Sequence, residues 1–353
     1  PFRLRLRLDI AQWHWLYLFL LNCRGQALSA GTERNLHLAT YSLSCLQQTR
    51  SILGNDFSYD DSQSGIVRLI STQKEADAAR DYFAKHHQDK KIVWMEPSEL
   101  AAKDTAFRSA VESNLIAGAV MGATDESGDA RIFATKLATE FENRGGEIRT
   151  NCRVTDFISH NGYVQGVTTE QGDISADRVV LSSGVASKAL AKKIGITIPV
   201  LPIKGYSVTV PIIDESRVPI SSCTDVKHRL VISRLGMRLR VAGFAEIGSD
   251  KACDAGRAAA ARDRLEALFP DAADYQSFDN WMGFRPMTPD GAPIIGEAET
   301  LRNLWFNTGH GTLGWTLSHG TAQLLTDMMA GRKTALDMKP YKIKRSYVSG
   351  IFG

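Results

Sequence analysis

Apolar side chains recur at helical spacing in the first part of the chain. Two such stretches lie within residues 9–54, and the second carries Leu36, Tyr41 and Leu46. A helical period predicts amphipathic helices that each bury one face. We therefore expect residues 1–58 to form a helical layer.

Beyond residue 58 the pattern alternates between strands and helices. Residues 65–70 have the composition of a strand, and residues 75–87 that of a solvent-facing helix. Asp129 is placed to cap a helix over residues 131–143, because an aspartate before a helical run accepts its first free N–H groups. The chain is therefore predicted to be a mixed α/β protein.

After residue 146 the period changes to two. Short strands are predicted over residues 147–150, 153–159, 163–169 and 173–176, with Asn161-Gly162 as a hairpin turn. The apolar run 178–181 is typical of a buried parallel strand. Open α/β sheets bind ligands where their strands end, so Ser183 and Gly184, directly after this run, are candidate ligand contacts.

From residue 201 the predicted strands become longer. Residues 203–211, 230–234 and 238–246 alternate polar and apolar side chains, and an Ala/Arg-rich helix is predicted over 255–269. These patterns predict a second, largely antiparallel sheet.

Composition narrows the class of protein. The 353 residues suffice for about two domains, and 43% apolar with 23% charged residues is typical of globular proteins. A net charge of +3 without a basic stripe disfavours a nucleic-acid partner. Five cysteines without a CxxC pair indicate no structural zinc or other metal, and the longest apolar run, 13–21, is too short to span a bilayer. We expect an enzyme that acts on a small molecule.

A glycine-rich turn near the C-terminus is the strongest local signal. A strand over 303–307 leads into Gly309, Gly311 and Gly314, and a helix follows through residue 329. This GxGxxG spacing lets backbone N–H groups approach a ligand. A nicotinamide site is rejected because no second strand follows, and Asp327 lies on the same helix. A flavin ring at the helix start fits better, although a glycine-rich helix start without a ligand stays open.

Two side chains upstream are candidate substrate contacts. Arg285 ends an apolar strand just before a proline-bounded turn, where a guanidinium could hold a carboxylate with two hydrogen bonds. Tyr206 lies in an alternating strand and either faces a ligand or fills the sheet. An arginine at such a turn is also common in surface ion pairs, so this alternative is kept.

These residues resemble a known family. Four segments closely resemble the D-amino-acid dehydrogenase (small subunit) family, namely PIKGYS (202–207), RVAGFAE (240–246), GFRPMTPDG (283–291) and NTGHGTLGWT (307–316). That family belongs to the FAD-dependent oxidoreductases that include glycine oxidase and D-amino-acid oxidase. The resemblance covers nearly the whole chain.

The resemblance implies a two-domain fold of the amino-acid oxidase type. A parallel flavin-binding sheet is accompanied by a largely antiparallel sheet in a substrate domain. We expect the helical layer over 1–58, the substrate domain over 59–128 and 200–284, the FAD-binding domain over 129–199 and 285–338, and a C-terminal tail over 339–353.

The resemblance also implies an activity and its residues. The activity is oxidative deamination of D-amino acids to 2-oxo acids and ammonia by hydride transfer to flavin N5. Arg285 matches the arginine that anchors the substrate carboxylate, and Tyr206 lies in a substrate-side segment. His310 either shapes the turn, touches the ring or transfers a proton. The implied FAD contacts are Val154, Ser183, Gly184, Gly309, Gly311, Thr312, Leu313, Gly314, Trp315 and Thr316.

The family pattern begins with a strand, a GxGxxG turn and a helix that this sequence does not contain. We therefore expect the first βαβ unit, and part of the FAD affinity, to be missing. The chain is then either a fragment or a non-catalytic relative that no longer binds FAD. An enzyme acting on glycine, sarcosine or D-hydroxyproline is a further alternative. The family implies a respiratory electron acceptor, a quinone or a carrier, and a cytoplasmic location with peripheral association at the inner face of the plasma membrane left open.

Overall fold

The computed structural model describes residues 2–5, 8–54, 56–86, 91–248 and 252–348. Within these ranges the helices are α1 Ile10–Asn22, α2 Gly25–Leu53, α3 Gln73–His86, α4 Pro97–Lys103, α5 Arg108–Glu112, α6 Ala130–Asn143, α7 Ser187–Lys193, α8 Ala255–Leu268 and α9 Gly314–Met329. The strands are β1 Phe2–Leu4, β2 Ile66–Ile70, β3 Ile92–Met95, β4 Gly118–Gly122, β5 Val154–His160, β6 Tyr163–Thr169, β7 Gly172–Ser175, β8 Val179–Leu181, β9 Leu201–Pro211, β10 Ser222–Asp225, β11 Leu230–Leu235, β12 Arg238–Ile247, β13 Asp279–Met287, β14 Ile294–Glu297 and β15 Leu304–Thr308.

The predicted mixed α/β class is confirmed, and the chain divides into two compact units. The first unit comprises residues 1–4, 58–141 and 204–283, and the second comprises 5–57, 142–203 and 284–353. The division places residues 5–57 in the second unit and residues 129–141 in the first, whereas the sequence predicted a separate layer over 1–58 and an FAD-binding domain from residue 129. The functional assignment of these domains stays a prediction. Of the predicted segments, residues 1, 6–7, 55, 87–90, 249–251 and 349–353 lie outside the described residues.

The first unit is built on a nine-stranded sheet in the order β13-β9-β12-β11-β10-β2-β4-β3, with β1 joined to β12. Most of the pairings are antiparallel, whereas β2 pairs with β10 and β1 with β12 in parallel. Alternate side chains of the strands point to one buried face, where Val67, Ile232 and Val241 join Phe107 and Leu265 from the helical segments. This burial of one face explains the period of two in the sequence.

The second unit holds two small sheets. One has the order β14-β15-β8, in which β8 and β15 run parallel, and the other is the antiparallel meander β5-β6-β7. The long helix α2 packs on α9, where the backbone N–H of Gly320 donates to Ser42 Oγ at 3.0 Å. A Cβ at Gly320 would lie 2.9 Å from Ser42 Cβ, so only glycine permits this approach.

Local chemistry explains the predicted elements that are present. His160 pairs with Tyr163 across the Asn161-Gly162 turn, and both turn residues have positive φ, as a two-residue hairpin of this type requires.

The predicted strand at 147–150 is wrong. In this exposed segment Arg149 forms an ion pair with Glu147, and Ile148 is 40% exposed, because no described strand lies beside it to cover the apolar side chain.

Asp129 caps α6 as predicted. One carboxylate oxygen accepts hydrogen bonds from the N–H groups of Arg131 at 2.8 Å and Ile132 at 3.1 Å, and the other accepts from Arg238 at 2.8 Å. Burial by itself would raise the pKa of Asp129, but these hydrogen bonds hold it below its usual value. The carboxylate is therefore the stable form at neutral pH.

Replacing this cap tests its contribution. Asp129→Ala should lower the free energy of unfolding by about 1–2 kcal/mol at neutral pH, because two helix N–H groups and Arg238 lose their acceptor. Since the native pKa lies below the unfolded value, the contribution is present at neutral pH and is lost as the pH falls through the native pKa. Denaturant unfolding along an acid series measures both effects. The control is Asp279→Ala, at an exposed position in the same unit, and an equal loss there would contradict the cap.

Candidate functional site

Two loops that are distant in sequence meet at one edge of the β14-β15-β8 sheet. The parallel register places Phe306 beside Leu181, so the segments after β15 and β8 leave the sheet together. Hydroxyl groups link them. The hydroxyl of Thr308 donates to the carbonyl of Gly184 at 3.3 Å, Ser187 Oγ lies 3.0 Å from Thr308 Oγ1, and Ser183 Oγ lies 3.2 Å from Ser187 Oγ. The two predicted contact segments are thus joined into one structure.

A cleft of about 800 Å³ opens beside β8. Its walls are mainly apolar, and they include the predicted cofactor contacts Val154 and Ser183. The other lining residues are Arg153, Thr155, Phe157, Val167, Glu170, Val179, Val180, Leu181, Ser182, Ala186, Ala189, Leu190 and Lys193. This volume is within the range of cofactor sites.

Gly184, directly after Ser183, adopts a backbone conformation that favours glycine. Its φ is +58°, which disfavours other residues, yet a Cβ built there would meet nothing within 4 Å. The glycine therefore serves the backbone turn and leaves open space beside it. An apolar cleft, a hydroxyl group and an open backbone turn fit the flat rings and polar edges of a dinucleotide.

The glycine-rich turn after β15 is held by close packing. Gly309 has a φ of +81°, and a Cβ there would lie 2.9 Å from Thr288 Cγ2. Gly311 has a φ of +57°, and its Cβ would lie 2.4 Å from Met287 Sδ. Thr312 and Leu313 complete a single 3₁₀ turn, and α9 then begins with Gly314, Trp315 and Thr316. A side chain at either position would adopt a strained φ and would have to displace the side chain of Thr288 or Met287.

Arg285 lies two residues before the strand position that contacts this turn. Met287 and His310 form an antiparallel bridge. Residues two apart on a strand share a face, so Arg285 and Met287 point to the same side of β13. Burial lowers the pKa of Arg285, but an arginine remains charged at neutral pH. The permanent charge and the glycine-rich turn are therefore carried by adjoining backbone segments.

His310 is a neutral residue in this site. Its Nε2 lies 3.0 Å from Thr321 Oγ1, and burial lowers its pKa to about 4. An imidazole with this pKa is uncharged at neutral pH, so it is a weak base there. Of the roles left open for His310, proton transfer is the least compatible with this environment.

Tyr206 belongs to the first unit and is buried. Its hydroxyl donates to Glu246 Oε2 at 3.0 Å, and Lys204 Nζ lies 3.4 Å from the same oxygen. Burial raises the pKa of Tyr206, and the Glu246 carboxylate adds to the rise. Arg257 also pairs with this carboxylate, at 2.5 Å from Oε1. The phenol is therefore part of a buried charge network, and its role as a substrate contact stays a prediction.

Sequence reasoning missed a second charge cluster, which follows Arg285 in the chain. The Asp290 carboxylate is fully buried and receives two hydrogen bonds from Arg345, at 3.0 and 3.1 Å. Arg34 donates to the carbonyl oxygen of Asp290 at 2.6 Å. Asp290, Arg345 and Arg34 are far apart in sequence, so no local pattern predicted their contacts.

Asn307 is a further residue that the sequence did not single out. Its side-chain oxygen Oδ1 is buried and has no hydrogen-bond partner among the described residues. A buried acceptor without a donor is rare, so it marks a place where a ligand or water N–H or O–H group fits. The residue lies on β15, two positions before Gly309.

The described ranges contain neither a cluster of metal-ligating side chains nor a membrane-spanning helix. No group of three or more histidine, cysteine, aspartate or glutamate residues is arranged there to hold a metal ion. The described helices also include none that is long and apolar enough to cross a membrane.

Comparisons with known proteins show the family of this chain. The family described as FAD dependent oxidoreductase matches residues 13–328. A D-amino acid dehydrogenase of Paramagnetospirillum magneticum is 39% identical over 343 residues, which cover 96% of this chain and 80% of that protein. A D-amino acid dehydrogenase of Granulibacter bethesdensis is 37% identical, with 98% and 82% coverage. The crystal structure of glycine oxidase from Geobacillus kaustophilus aligns with a TM-score of 0.75 and 25% identity, over 87% of this chain and 82% of that one.

Substitution of Gly311 tests the packing of the turn. Gly311→Ala should lower the free energy of unfolding by about 1 kcal/mol through backbone strain, and further through the contact with Met287 Sδ. The matched control is Gly331→Ala, because Gly331 has a φ of +69° but open space around its Cβ. Thermal unfolding of both variants separates strain from packing.

A second substitution isolates the contact itself. Gly311→Ala should lower the free energy of unfolding more than Gly331→Ala does. In a Met287→Ala background this difference should shrink, since the sulfur atom that obstructs the new methyl group is gone. Equal losses for Gly311→Ala and Gly331→Ala in the original chain would contradict the packing explanation.

Proposed function

Because the chain belongs to the FAD dependent oxidoreductase family and is of the D-amino acid dehydrogenase type, we propose that it oxidises D-amino acids to 2-oxo acids and ammonia. The electrons would pass to a respiratory acceptor, a quinone or a carrier protein, which would bring the protein to the inner face of the plasma membrane. The observation that carries the proposal is the bridge between Met287 and His310, which joins the strand of Arg285 to the glycine-rich turn.

The FAD assignment has support from the residues of the second unit. The cleft beside β8, the open backbone at Gly184 and the buried acceptor of Asn307 suit the group. We propose that Val154, Ser183 and Gly184 hold its nucleotide side, and that the turn from Gly309 to Thr316 holds its ring. When bound, FAD supplies the acceptor for the hydride that leaves the substrate α-carbon.

Arg285 would bind the substrate through its carboxylate. A guanidinium offers two parallel N–H donors, and these match the two oxygens of a carboxylate. Partial burial strengthens such a pair because fewer water molecules compete for the donors. Fixing the carboxylate fixes the direction of the α-hydrogen, so the contribution of Arg285 is orientation.

The neutral state of His310 suits a substrate amine that must give up its lone pair. A second positive charge would oppose the positive charge that develops on the amine nitrogen as hydride leaves the carbon. The low pKa of His310, about 4, keeps that charge away at neutral pH. Water then hydrolyses the released imino acid, and no protein base is required for that step.

A second candidate is an oxidase or dehydrogenase of glycine or of a secondary amine such as sarcosine or D-hydroxyproline. The structural alignment with a glycine oxidase favours it. The chain would then use the same carboxylate anchor with a different amine. A non-catalytic relative that does not bind FAD is the third possibility, and the first measurement below separates it from the enzymes.

The deciding experiment is reconstitution with FAD followed by anaerobic reduction. After desalting, flavin absorbance should remain with the protein and bleach on addition of D-alanine, but not of L-alanine. Glycine, sarcosine and D-hydroxyproline test the second candidate, and quinone analogues and oxygen as oxidants test the acceptor. Protein without flavin, or flavin that no amine bleaches, would refute the proposed function.

Arg285 is the residue whose replacement should affect substrate binding most. Arg285→Leu should raise the KM for D-alanine about 100-fold, which corresponds to about 3 kcal/mol of lost carboxylate binding. Arg285→Lys should recover part of the loss, because a lysine keeps the charge but not the paired donors. Steady-state kinetics with a dye acceptor measure both. The control is Arg302→Leu at an exposed position, and an equal rise in KM there would count against Arg285.

Tyr206 should affect stability more than substrate binding. Tyr206→Phe should lower the free energy of unfolding by about 1–3 kcal/mol, because Glu246 loses a donor. Its KM for D-alanine should stay within about twofold of the original. Tyr275→Phe is the matched control, since it removes another buried hydroxyl of the same unit. A rise in KM of about tenfold, specific to Tyr206, would identify it as a substrate contact.

A further inference from the structure

We infer that Thr321 fixes the tautomer of His310, so that Nε2 carries the proton and Nδ1 remains a hydrogen-bond acceptor beside the glycine-rich turn. Thr321 is thus assigned as a positioning residue, and His310 as an acceptor for an N–H donor bound in the site. This inference rests on the proposed function, since it gives His310 a use within that site.

The hydrogen bonds of Thr321 determine which atom donates in its contact with His310. Thr321 lies in α9 and is fully buried. Its hydroxyl oxygen is 3.1 Å from the carbonyl oxygen of Ser318 and 3.0 Å from His310 Nε2. A hydroxyl group has one hydrogen to donate, whereas a carbonyl oxygen can only accept. The hydrogen therefore goes to Ser318, and the hydroxyl oxygen presents a lone pair to His310.

The opposite arrangement is unfavourable. If the hydroxyl donated to an unprotonated Nε2, its oxygen would face the Ser318 carbonyl at 3.1 Å as one acceptor against another. A proton on Nε2 satisfies both contacts at once. In a neutral imidazole the second nitrogen then has no proton, because the two nitrogens share one. Nδ1 is therefore the acceptor.

The consequence is a histidine that orients a ligand without carrying its proton. The burial that lowers the pKa of His310 to about 4 keeps the ring neutral, which agrees with this assignment. Two groups can supply the N–H donor, namely the substrate amine and the edge of the bound cofactor. Both are chemically compatible with the Nδ1 lone pair, and they are distinguished by experiment.

The tautomer can be observed directly. Protein labelled with ¹⁵N-histidine and loaded with FAD would be studied by long-range ¹H–¹⁵N correlation at neutral pH, with His310→Asn used to identify the His310 signals. The expected pattern is a protonated Nε2 and an unprotonated Nδ1. A protonated Nδ1, or a charged ring, would overturn the inference.

Variants of Thr321 test the cause. Thr321→Ser keeps the hydroxyl and should keep the tautomer, whereas Thr321→Val keeps the shape, removes the acceptor and should yield a mixture of tautomers. An unchanged pattern in Thr321→Val would overturn the role of Thr321. Should the valine variant not fold, Thr321→Ala provides the same comparison with a smaller side chain, and the spectrum of the unaltered protein still decides the tautomer.

Two ligands distinguish the source of the donor. The acid 2-aminoisobutyrate carries an amine but no α-hydrogen, so it binds without being oxidised, while pivalate has a methyl group in place of the amine. A shift of the Nδ1 signal with 2-aminoisobutyrate but not pivalate assigns the donor to the substrate amine. A shift on loading the protein with FAD, before either ligand is added, assigns it to the cofactor. No shift in any case would refute the acceptor role.

Kinetics provide a second readout. The rate of flavin reduction by D-alanine should fall about tenfold in Thr321→Val and stay within about twofold in Thr321→Ser. Equal slowing in both would indicate a packing effect and contradict the inference. If D-amino acids do not reduce the flavin of the unaltered protein, the proposed function fails, but the tautomer measurement needs no turnover and still decides between the two arrangements.

Discussion

Where β8 and β15 end side by side, two loops separated by more than a hundred residues share one edge of a sheet. The parallel register of Leu181 with Phe306 imposes this arrangement, and the chain of hydroxyl groups from Ser183 through Ser187 to Thr308 reinforces it. The elements of the candidate site in the second unit lie at or next to that edge of the sheet. The cleft lies beside β8, and the glycine-rich turn leads from β15 into α9.

The glycine-rich turn is also constrained by the residues that follow Arg285 in the chain. Met287 fills the space that a side chain at Gly311 would need, and Asp290 holds the following turn through Arg345. A fully buried ion pair of this kind contributes little net stability, because removing both charges from water costs about as much as their attraction returns. The main effect of the Asp290–Arg345 ion pair is to fix the conformation of the backbone that follows Arg285.

The sequence predicted those features whose cause is local. The Asp129 cap and the Asn161-Gly162 hairpin depend on neighbours within three residues, so they can be recognised without a structure. The strand expected at 147–150 failed because alternation indicates a strand only where a partner covers one face. The pairing of Tyr206 with Glu246 and of Asp290 with Arg345 spans 40 and 55 residues. No periodicity or motif encodes such pairs, and the tautomer of His310 likewise depends on a hydroxyl in the next helix.

Arg285 and His310 are both half-buried, and they differ in protonation state. Burial lowers the pKa of both Arg285 and His310. The arginine begins so far above neutrality that it stays charged, whereas the histidine begins near neutrality and loses its proton. Burial thus leaves Arg285 positively charged and His310 neutral, as the proposed contacts with a carboxylate and an amine require. A lysine at position 285 would be more easily neutralised by the same burial, so this environment favours an arginine.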